Sequence, residues 1–297
     1  MIARAGVVGL GIMGSAYARH LLEAGVAVSG YDVDPGALAE FVAHGGSAAP
    51  SAAAVARASA VVLAALPSDE ALEAAYLGPD GLAAGAAPGL VVADHGTFAL
   101  DAKERVRGAL AARGVAVLDA PVSGTGAQAR HKDLTIFASG DDAAFALARP
   151  VMERYARDVR YVGAFGNGSK LKYIANLLVT IHNLSTAEAV VLAERAGIDP
   201  ALMLDALGES AASSRMLQVR GPMMAARTYR PATMKLDVYD KDIRIIADFA
   251  RAVGAPTPLF SASAPVYAAA LAEGRAKDDT AAIVEVLRAS AAAPADV

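Results

Sequence analysis

Residues 3–32 read ARAGVVGLGIMGSAYARHLLEAGVAVSGYD. Residues 3–8 form a short apolar run with the length of a buried strand. Gly9-Leu10-Gly11-Ile12-Met13-Gly14 follows, and then a helical pattern runs through Tyr17, Leu21 and Leu22 to Gly25. A second strand spans 26–31 and ends at Asp32. The order is strand, glycine turn, helix, strand, acid. Glycines allow a tight turn and close backbone approach to a pyrophosphate, which rests where the first N–H groups of a helix point outward. Asp32 comes 21 residues after Gly11, the spacing at which a carboxylate accepts hydrogen bonds from an adenosine ribose. The same carboxylate repels a 2′-phosphate, and Val33 offers no arginine to bind one. The stretch therefore predicts a Rossmann-type domain that prefers NAD over NADP.

Working outward, residues 60–66, 90–93 and 115–118 read as further strands, with a helix at 101–113. Ser68 or Asp69 is placed to cap a helix after the first of them. Residues 134–138 and 159–162 add two more strands. In a parallel α/β sheet, ligands lie beyond the carboxyl ends of the strands. The glycine loop, Asp32, Pro67-Ser68, Thr97 and Ser123-Gly124 all follow strands, so the pattern puts them on one rim. Leu66, Pro67 and Thr97 join Gly9 to Gly14 and Asp32 as candidate cofactor-binding residues.

The periodicity changes at Gly163. Residues 163–194 read GAFGNGSKLKYIANLLVTIHNLSTAEAVVLAE, a glycine-rich turn followed by a long proline-free stretch. This predicts one long helix, buried on most of its surface. It is not expected to span a membrane, because Asn176, Thr180, His182, Asn183, Ser185 and Glu188 interrupt it. Lys172 and Asn176 are four residues apart and share a face, whereas Lys170 points about 120° away from Asn176. Beyond Gly197 only helical patterns remain, at 200–207, 214–226, 241–253, 257–273 and 279–290, with 291–297 frayed. The expectation is an α/β domain over 1–163 and an all-helical domain over 164–297, joined by the long helix.

Composition narrows the function classes. The chain has 297 residues, 55% hydrophobic and 20% charged, with a net charge of −4. No basic run suggests a nucleic-acid partner. The absence of cysteine excludes disulfides, thiolate chemistry and Cys-ligated zinc, and the five histidines lack metal-ligand spacing, so no metal is expected. The N-terminus lacks a signal-peptide pattern, which favours the cytoplasm.

Four motifs, in order, make the chain resemble the β-hydroxyacid dehydrogenase family, which includes 3-hydroxyisobutyrate dehydrogenase and tartronate semialdehyde reductase. Gly9-Leu10-Gly11-Ile12-Met13-Gly14 is similar to its GLGxMG loop, and Asp119-Ala120-Pro121-Val122-Ser123-Gly124 to its DAPVSGG substrate loop. The run Gly163, Gly166, Gly168, Lys172, Asn176 resembles its catalytic turn and helix, and Lys241-Asp242 its KD pair. The resemblance implies a hydride transfer between NAD and a small β-hydroxy acid, with Lys172 as acid/base and Asn176 orienting the substrate. A lysine near an oxidised nicotinamide, partly desolvated, is expected to have its pKa drawn down towards working pH. Ser123, Gly124 and Thr125 would hold the substrate carboxylate, Thr97 would lie near the nicotinamide ribose, and Lys241 would meet substrate or cofactor.

Departures from the family pattern are confined to the expected acyl end of the substrate. Thr125 replaces the second glycine of the substrate loop, and Lys132 replaces another glycine nearby. The family's DxSTxxP reads Asp94-His95-Gly96-Thr97-Phe98-Ala99-Leu100, without its serine and proline, and Arg215 stands where an aromatic is common. Read without the family, Thr97 is a helix cap, Ser123 a turn residue and Lys241-Asp242 an exposed pair opening a helix. An imine reductase shares the architecture, but Lys172 and Asp32 argue against it; a non-catalytic dinucleotide-binding regulator would need no acid/base. The apolar helical half predicts a homodimer or homotetramer.

Overall fold

The computed structural model describes residues 4–291. Residue 3 of the first predicted strand and residues 292–297 of the predicted frayed end lie outside the described residues.

The chain runs β1 (Arg4–Val8), α1 (Ile12–Glu23), β2 (Ala27–Tyr31), α2 (Pro35–Ala43), β3 (Ser47–Ala48), α3 (Ala52–Ala58), β4 (Val61–Ala64), α4 (Asp69–Leu77), α5 (Leu82–Gly85), β5 (Val91–Asp94), α6 (Leu100–Ala111) and β6 (Ala116–Asp119). It continues through β7 (Val122–Ser123), α7 (Gly126–Arg130), β8 (Thr135–Ala138), α8 (Asp142–Met152) and β9 (Asp158–Tyr161). Then come α9 (Asn167–Arg195), α10 (Pro200–Gly208), α11 (Arg215–Ala225), α12 (Leu236–Ala252), α13 (Pro258–Ala272), a 3-10 turn (Thr280–Ala282) and α14 (Ile283–Ser290).

Six strands form one parallel sheet in the order β3-β2-β1-β4-β5-β6, the strand order of a Rossmann fold. β4 and β5 are buried at every residue because helices cover both faces. Successive residues of β4 enter different cores. Val61 and Leu63 pack with Tyr17, Leu21, Phe41 and Phe145 from α1, α2 and α8, while Val62 and Ala64 pack with Val55, Leu72, Tyr76 and Val106 from α3, α4 and α6. Each large side chain buried this way stabilises the fold by about 1.5–3 kcal/mol. Because the six strands are parallel, the glycine loop, Asp32, Pro67-Ser68 and Thr97 follow carboxyl ends on one edge of this sheet, whereas Ser123, expected there too, belongs to β7 of a second sheet.

The strands predicted at 134–138 and 159–162 exist as β8 and β9, but outside the main sheet. They form a separate sheet, β7-β8-β9, with β7 antiparallel to β8. Only Ala120 and Pro121 separate β6 from β7, too short a link for the crossover that a further parallel strand of the main sheet would need. Asp119 and Ser139 bridge the two sheets through paired backbone bonds of 3.0 and 2.8 Å.

Contacts divide the chain inside α9, between Lys172 and Tyr173. In the second unit α9 is the core helix. It is long and apolar enough by composition to cross a membrane, yet Asn183 and Thr180 in its middle are hydrogen-bonded within the unit. Asn183 Nδ2 donates to Tyr267 Oη and to the Thr280 carbonyl, both at 2.9 Å. Tyr239 Oη donates to the Asn176 carbonyl at 2.9 Å, and Thr180 Oγ1 lies 2.9 Å from the same hydroxyl. α12 begins at Leu236, ahead of the predicted 241, because its buried stripe of Leu236, Tyr239, Ile243, Ile246 and Ala250 keeps helical spacing back to that point.

Candidate active site

The glycine loop joins β1 to α1 at the carboxyl edge of the sheet. Gly9 has a left-handed backbone (φ 88°), and a Cβ there would lie 2.3 Å from the Ala65 carbonyl oxygen. A Cβ on Gly14 would lie 1.8 Å from the Gly9 carbonyl oxygen. Gly11 differs: nothing lies within 4 Å of a Cβ built on it. Protein packing thus accounts for Gly9 and Gly14, while the space beside Gly11 is open. Gly11 is also the N-cap of α1 and supplies no side-chain cap, so the first amides of a twelve-residue helix are left for an anion. Leu10 turns its side chain into the core, and its N–H donates to Asp32 Oδ2 at 2.5 Å. Asp32 Oδ1 accepts from the Asp34 N–H at 2.8 Å. The acid is thereby fixed against the loop, and its neighbour Val33 is 84% exposed. Open space at Gly11, uncapped amides and an anchored acid together fit a dinucleotide.

The remaining strand ends supply the rest of the rim. After β4, Leu66 is half-buried and Pro67 exposed, and Ser68 caps α4 by accepting from the Ala71 N–H at 3.2 Å. After β5, α6 is capped at Ala99, so half-buried Thr97 is not the helix cap. A Cβ on Gly96 would lie 1.9 Å from the ring of fully buried Phe98. After β6, Ser123 and Gly124 are half-buried. Thr125 forms a capping box with Gln128: its hydroxyl faces the Gln128 N–H, and its own N–H donates to Gln128 Oε1 at 3.0 Å.

The turn before α9 uses left-handed backbone at Gly163 and Gly166 (φ 89° and 90°). The start of α9 is then fastened to β6. The Gly168 N–H donates to Ser139 Oγ at 3.0 Å, and Ser169 donates to Asp119 through both its N–H and its hydroxyl, each at 2.7 Å. Lys103 Nζ lies 2.7 Å from Asp119 Oδ1. Burial works to raise the Asp119 carboxyl; the Lys103 charge and the bonds from Lys103 and Ser169 outweigh it and hold the group below the usual carboxylate range. Three residues on, Lys172 is only 8% exposed, whereas Lys170 is exposed. Asn176 follows one turn later and is buried. Its Nδ2 donates to Asp242 Oδ2 at 2.8 Å, and Lys241 Nζ sits 3.2 Å from Asp242 Oδ1. Among the described residues no cluster of metal-ligating side chains occurs.

Residues 4–163 match the family model described as the NAD binding domain of 6-phosphogluconate dehydrogenase, and residues 166–287 match the NAD-binding model of NADP-dependent 3-hydroxyisobutyrate dehydrogenase. An L-threonate dehydrogenase of Cupriavidus necator is 35% identical over 282 residues, covering 95% of each chain. The chain belongs to the β-hydroxyacid dehydrogenase family. A 3-hydroxyisobutyrate dehydrogenase of Pseudomonas aeruginosa is 35% identical over 257 residues, 84% of this chain and 86% of that one. The crystal structure of a Salmonella typhimurium 3-hydroxyisobutyrate dehydrogenase superposes with a TM-score of 0.87 at 33% identity, covering 95% of this chain and 99% of that one.

This β-hydroxyacid dehydrogenase is accordingly an oxidoreductase with a Rossmann-type, nicotinamide-dinucleotide-binding half. Its departures from the family pattern sit in distinct local settings. Lys132 has a left-handed backbone (φ 57°), the region that glycine enters most readily. Gly96 makes room for Phe98. Arg215 is exposed at the start of α11, 3.4 Å from Gln218 Oε1. Three residues beside the candidate site have roles that the sequence does not announce: Lys103, Ser169 and Asp242. Asp242 was marked by the KD pair, but nothing in the sequence tells that its carboxylate faces Asn176. Lys103 and Ser169 carried no signal, since a helical lysine is usually solvated and a serine in a helix is unremarked.

Proposed function

We propose that this chain is an NAD-dependent dehydrogenase of small β-hydroxy acids, or a reductase of their semialdehydes, with Lys172 as the general acid/base. The observation that carries the reading is a buried lysine on the first turns of α9, one turn before a buried asparagine. Bound NAD supplies the acceptor for the hydride leaving the carbinol carbon. Lys172 Nζ takes the hydroxyl proton in that direction and returns it to the developing alkoxide in the other. Asn176, held by Asp242, orients the hydroxyl. Ser123 Oγ and the Gly124 N–H hold the carboxylate, with Thr125 contributing less because Gln128 occupies its N–H. Lys241 adds positive charge for an anionic substrate or cofactor. Residues 1–163 form the proposed cofactor domain and residues 164–297 the proposed substrate and oligomerisation domain. The names of the relatives, L-threonate and 3-hydroxyisobutyrate dehydrogenases, support small hydroxy acids as the substrate class.

Lys172→Ala tests the mechanism. The variant should fold, bind NAD within a few-fold of the parent, and lose about 10³ of kcat, within the usual range for a general acid/base. Retention of more than a tenth of kcat would overturn it. The cofactor preference rests on Asp32 beside exposed Val33. We expect kcat/KM with NAD to exceed that with NADP by at least about tenfold, because the carboxylate repels a 2′-phosphate; equal values would refute this. A panel of 3-hydroxyisobutyrate, L-threonate, glycerate and L-serine, ranked by kcat/KM, identifies the acid.

A further inference from the structure

The proposed chemistry leaves unused a charged cluster buried in the α/β half. Asp94, Lys103 and Asp119 are 1%, 1% and 0% exposed. Lys103 reaches from α6 to the ends of β5 and β6, with Nζ 2.7 Å from Asp119 Oδ1 and 4.0 Å from Asp94 Oδ1. The Gly96 N–H donates to Asp94 Oδ1 at 2.9 Å, and the Ser139 hydroxyl to Asp119 Oδ2 at 3.2 Å. Buried ion pairs seldom stabilise a fold better than apolar side chains of the same size, so the cluster calls for another reason to exist.

That reason lies in the other bonds of Asp119. The first amides of a helix have no partner inside it. At the start of α9 two of them are met from elsewhere, Ser169 N–H by Asp119 Oδ2 and Gly168 N–H by Ser139 Oγ. The Ser169 hydroxyl closes a second bond to Asp119 Oδ1. Asp119 therefore caps α9 from the end of β6, which fixes both the rotation and the axial position of its first turn. Lys172 stands three residues beyond Ser169, on the same side of the helix. Asp119 also opens the loop that carries Ser123 and Gly124.

We propose that Asp119, anchored by Lys103, is a positioning residue for Lys172, setting the first turn of α9 in register with the Ser123 and Gly124 loop. The proposal rests on Lys172 being the acid/base. Near Asp119 the charged groups are Lys103 from α6 and, behind it, Asp94 from β5; Ser139 and Ser169 are neutral donors. Burial alone would lower the Lys103 pKa, but the Asp119 and Asp94 charges reverse this, so the cation persists at working pH.

Two variants test the assignment in the full-length enzyme, with NAD saturating and 3-hydroxyisobutyrate and L-threonate as the probes. Ser169→Ala removes one bond to Asp119 and keeps the charge pair, so it should fold. We expect kcat to fall about tenfold, since small misplacement of a reacting group has effects of this order. KM and the NAD Kd should stay within about threefold. The solvent deuterium isotope effect on kcat should rise, because proton transfer to a misplaced lysine becomes the slower step. Lys103→Met leaves Asp119 buried without its cation, so its carboxyl pKa should climb. The kcat–pH profile, read well below Tm, should then gain an acid limb absent from the parent. Wild-type kcat and isotope effect in Ser169→Ala overturn the proposal even if Tm falls, and that variant decides if Lys103→Met does not fold. An acid limb missing from folded Lys103→Met also counts against it. Full turnover by Lys172→Ala is a different failure: it removes the acid/base reading itself, whatever the cluster variants do.

Discussion

His95 occupies the first unspecified position of the DxSTxxP motif, and the structure gives it two bonds that settle its tautomer. Nδ1 lies 2.6 Å from the Ala120 carbonyl, which can only accept, so Nδ1 carries the proton. Nε2 then accepts from the Tyr155 hydroxyl at 2.7 Å. The ring also packs edge-on against Tyr17 and Tyr155. Burial, offset in part by the Ala120 bond and reinforced by the Lys103 charge, lowers its pKa to about 4. Between pH 6.5 and 4 the unfolded chain binds a proton at this site and the folded chain does not. Stability is therefore lost as pH falls through that window and is untouched above it. From pH 7 to pH 5 the loss from His95 alone is about 2 kcal/mol. Urea unfolding at the two pH values should show it, and His95→Gln should lose correspondingly less. Equal losses in parent and variant would place the acid sensitivity elsewhere.

At the scale of the element, the strand, turn and helix that open the chain separate two kinds of glycine. Gly14→Ala drives a Cβ into the Gly9 carbonyl oxygen and should cost about 2 kcal/mol or more in thermal unfolding without cofactor. Gly11→Ala meets nothing and should cost at most about 1 kcal/mol, the N-cap preference of glycine over alanine. It should nevertheless weaken NAD binding about tenfold, since close backbone approach to the pyrophosphate is lost. If both variants lose equal stability, the open space at Gly11 is not what the cofactor uses. Contrasts of this kind also show what the sequence made legible. α1 and α9 are long apolar helices, and β1, β2, β4 and β5 are short runs bounded by turn residues such as Gly9, Asp32, Pro67 and Gly96. β3 and α3 are not legible in the sequence, because β3 has two residues and α3 is an alanine-rich helix of seven with little periodicity. Lys172 could be chosen over Lys170 from helical geometry alone. Its anchor could not, because Asp119 and Ser169 lie 50 residues apart and meet only through the packing of β6 on α9.

At the scale of the whole molecule, Leu171, Ile174 and Leu178 lie on one stripe of α9 and are all exposed. The homo-oligomer expected from the apolar helical half would cover this stripe. Sedimentation at micromolar concentration should give a dimer or tetramer, and Ile174→Glu should shift it towards monomer; a monomeric parent enzyme refutes the expectation. Gly96 and Phe98 are coupled through one volume. Gly96 stands where the family pattern has serine, and a Cβ built at 96 would lie 1.9 Å from the Phe98 ring. Gly96→Ser therefore requires the ring to move, and Phe98→Ala alone would open a cavity costing about 3–5 kcal/mol. Because the two positions share one space, the double variant Gly96→Ser/Phe98→Ala should cost less than the sum of the two single changes, a non-additivity that a double-mutant cycle in urea reads directly.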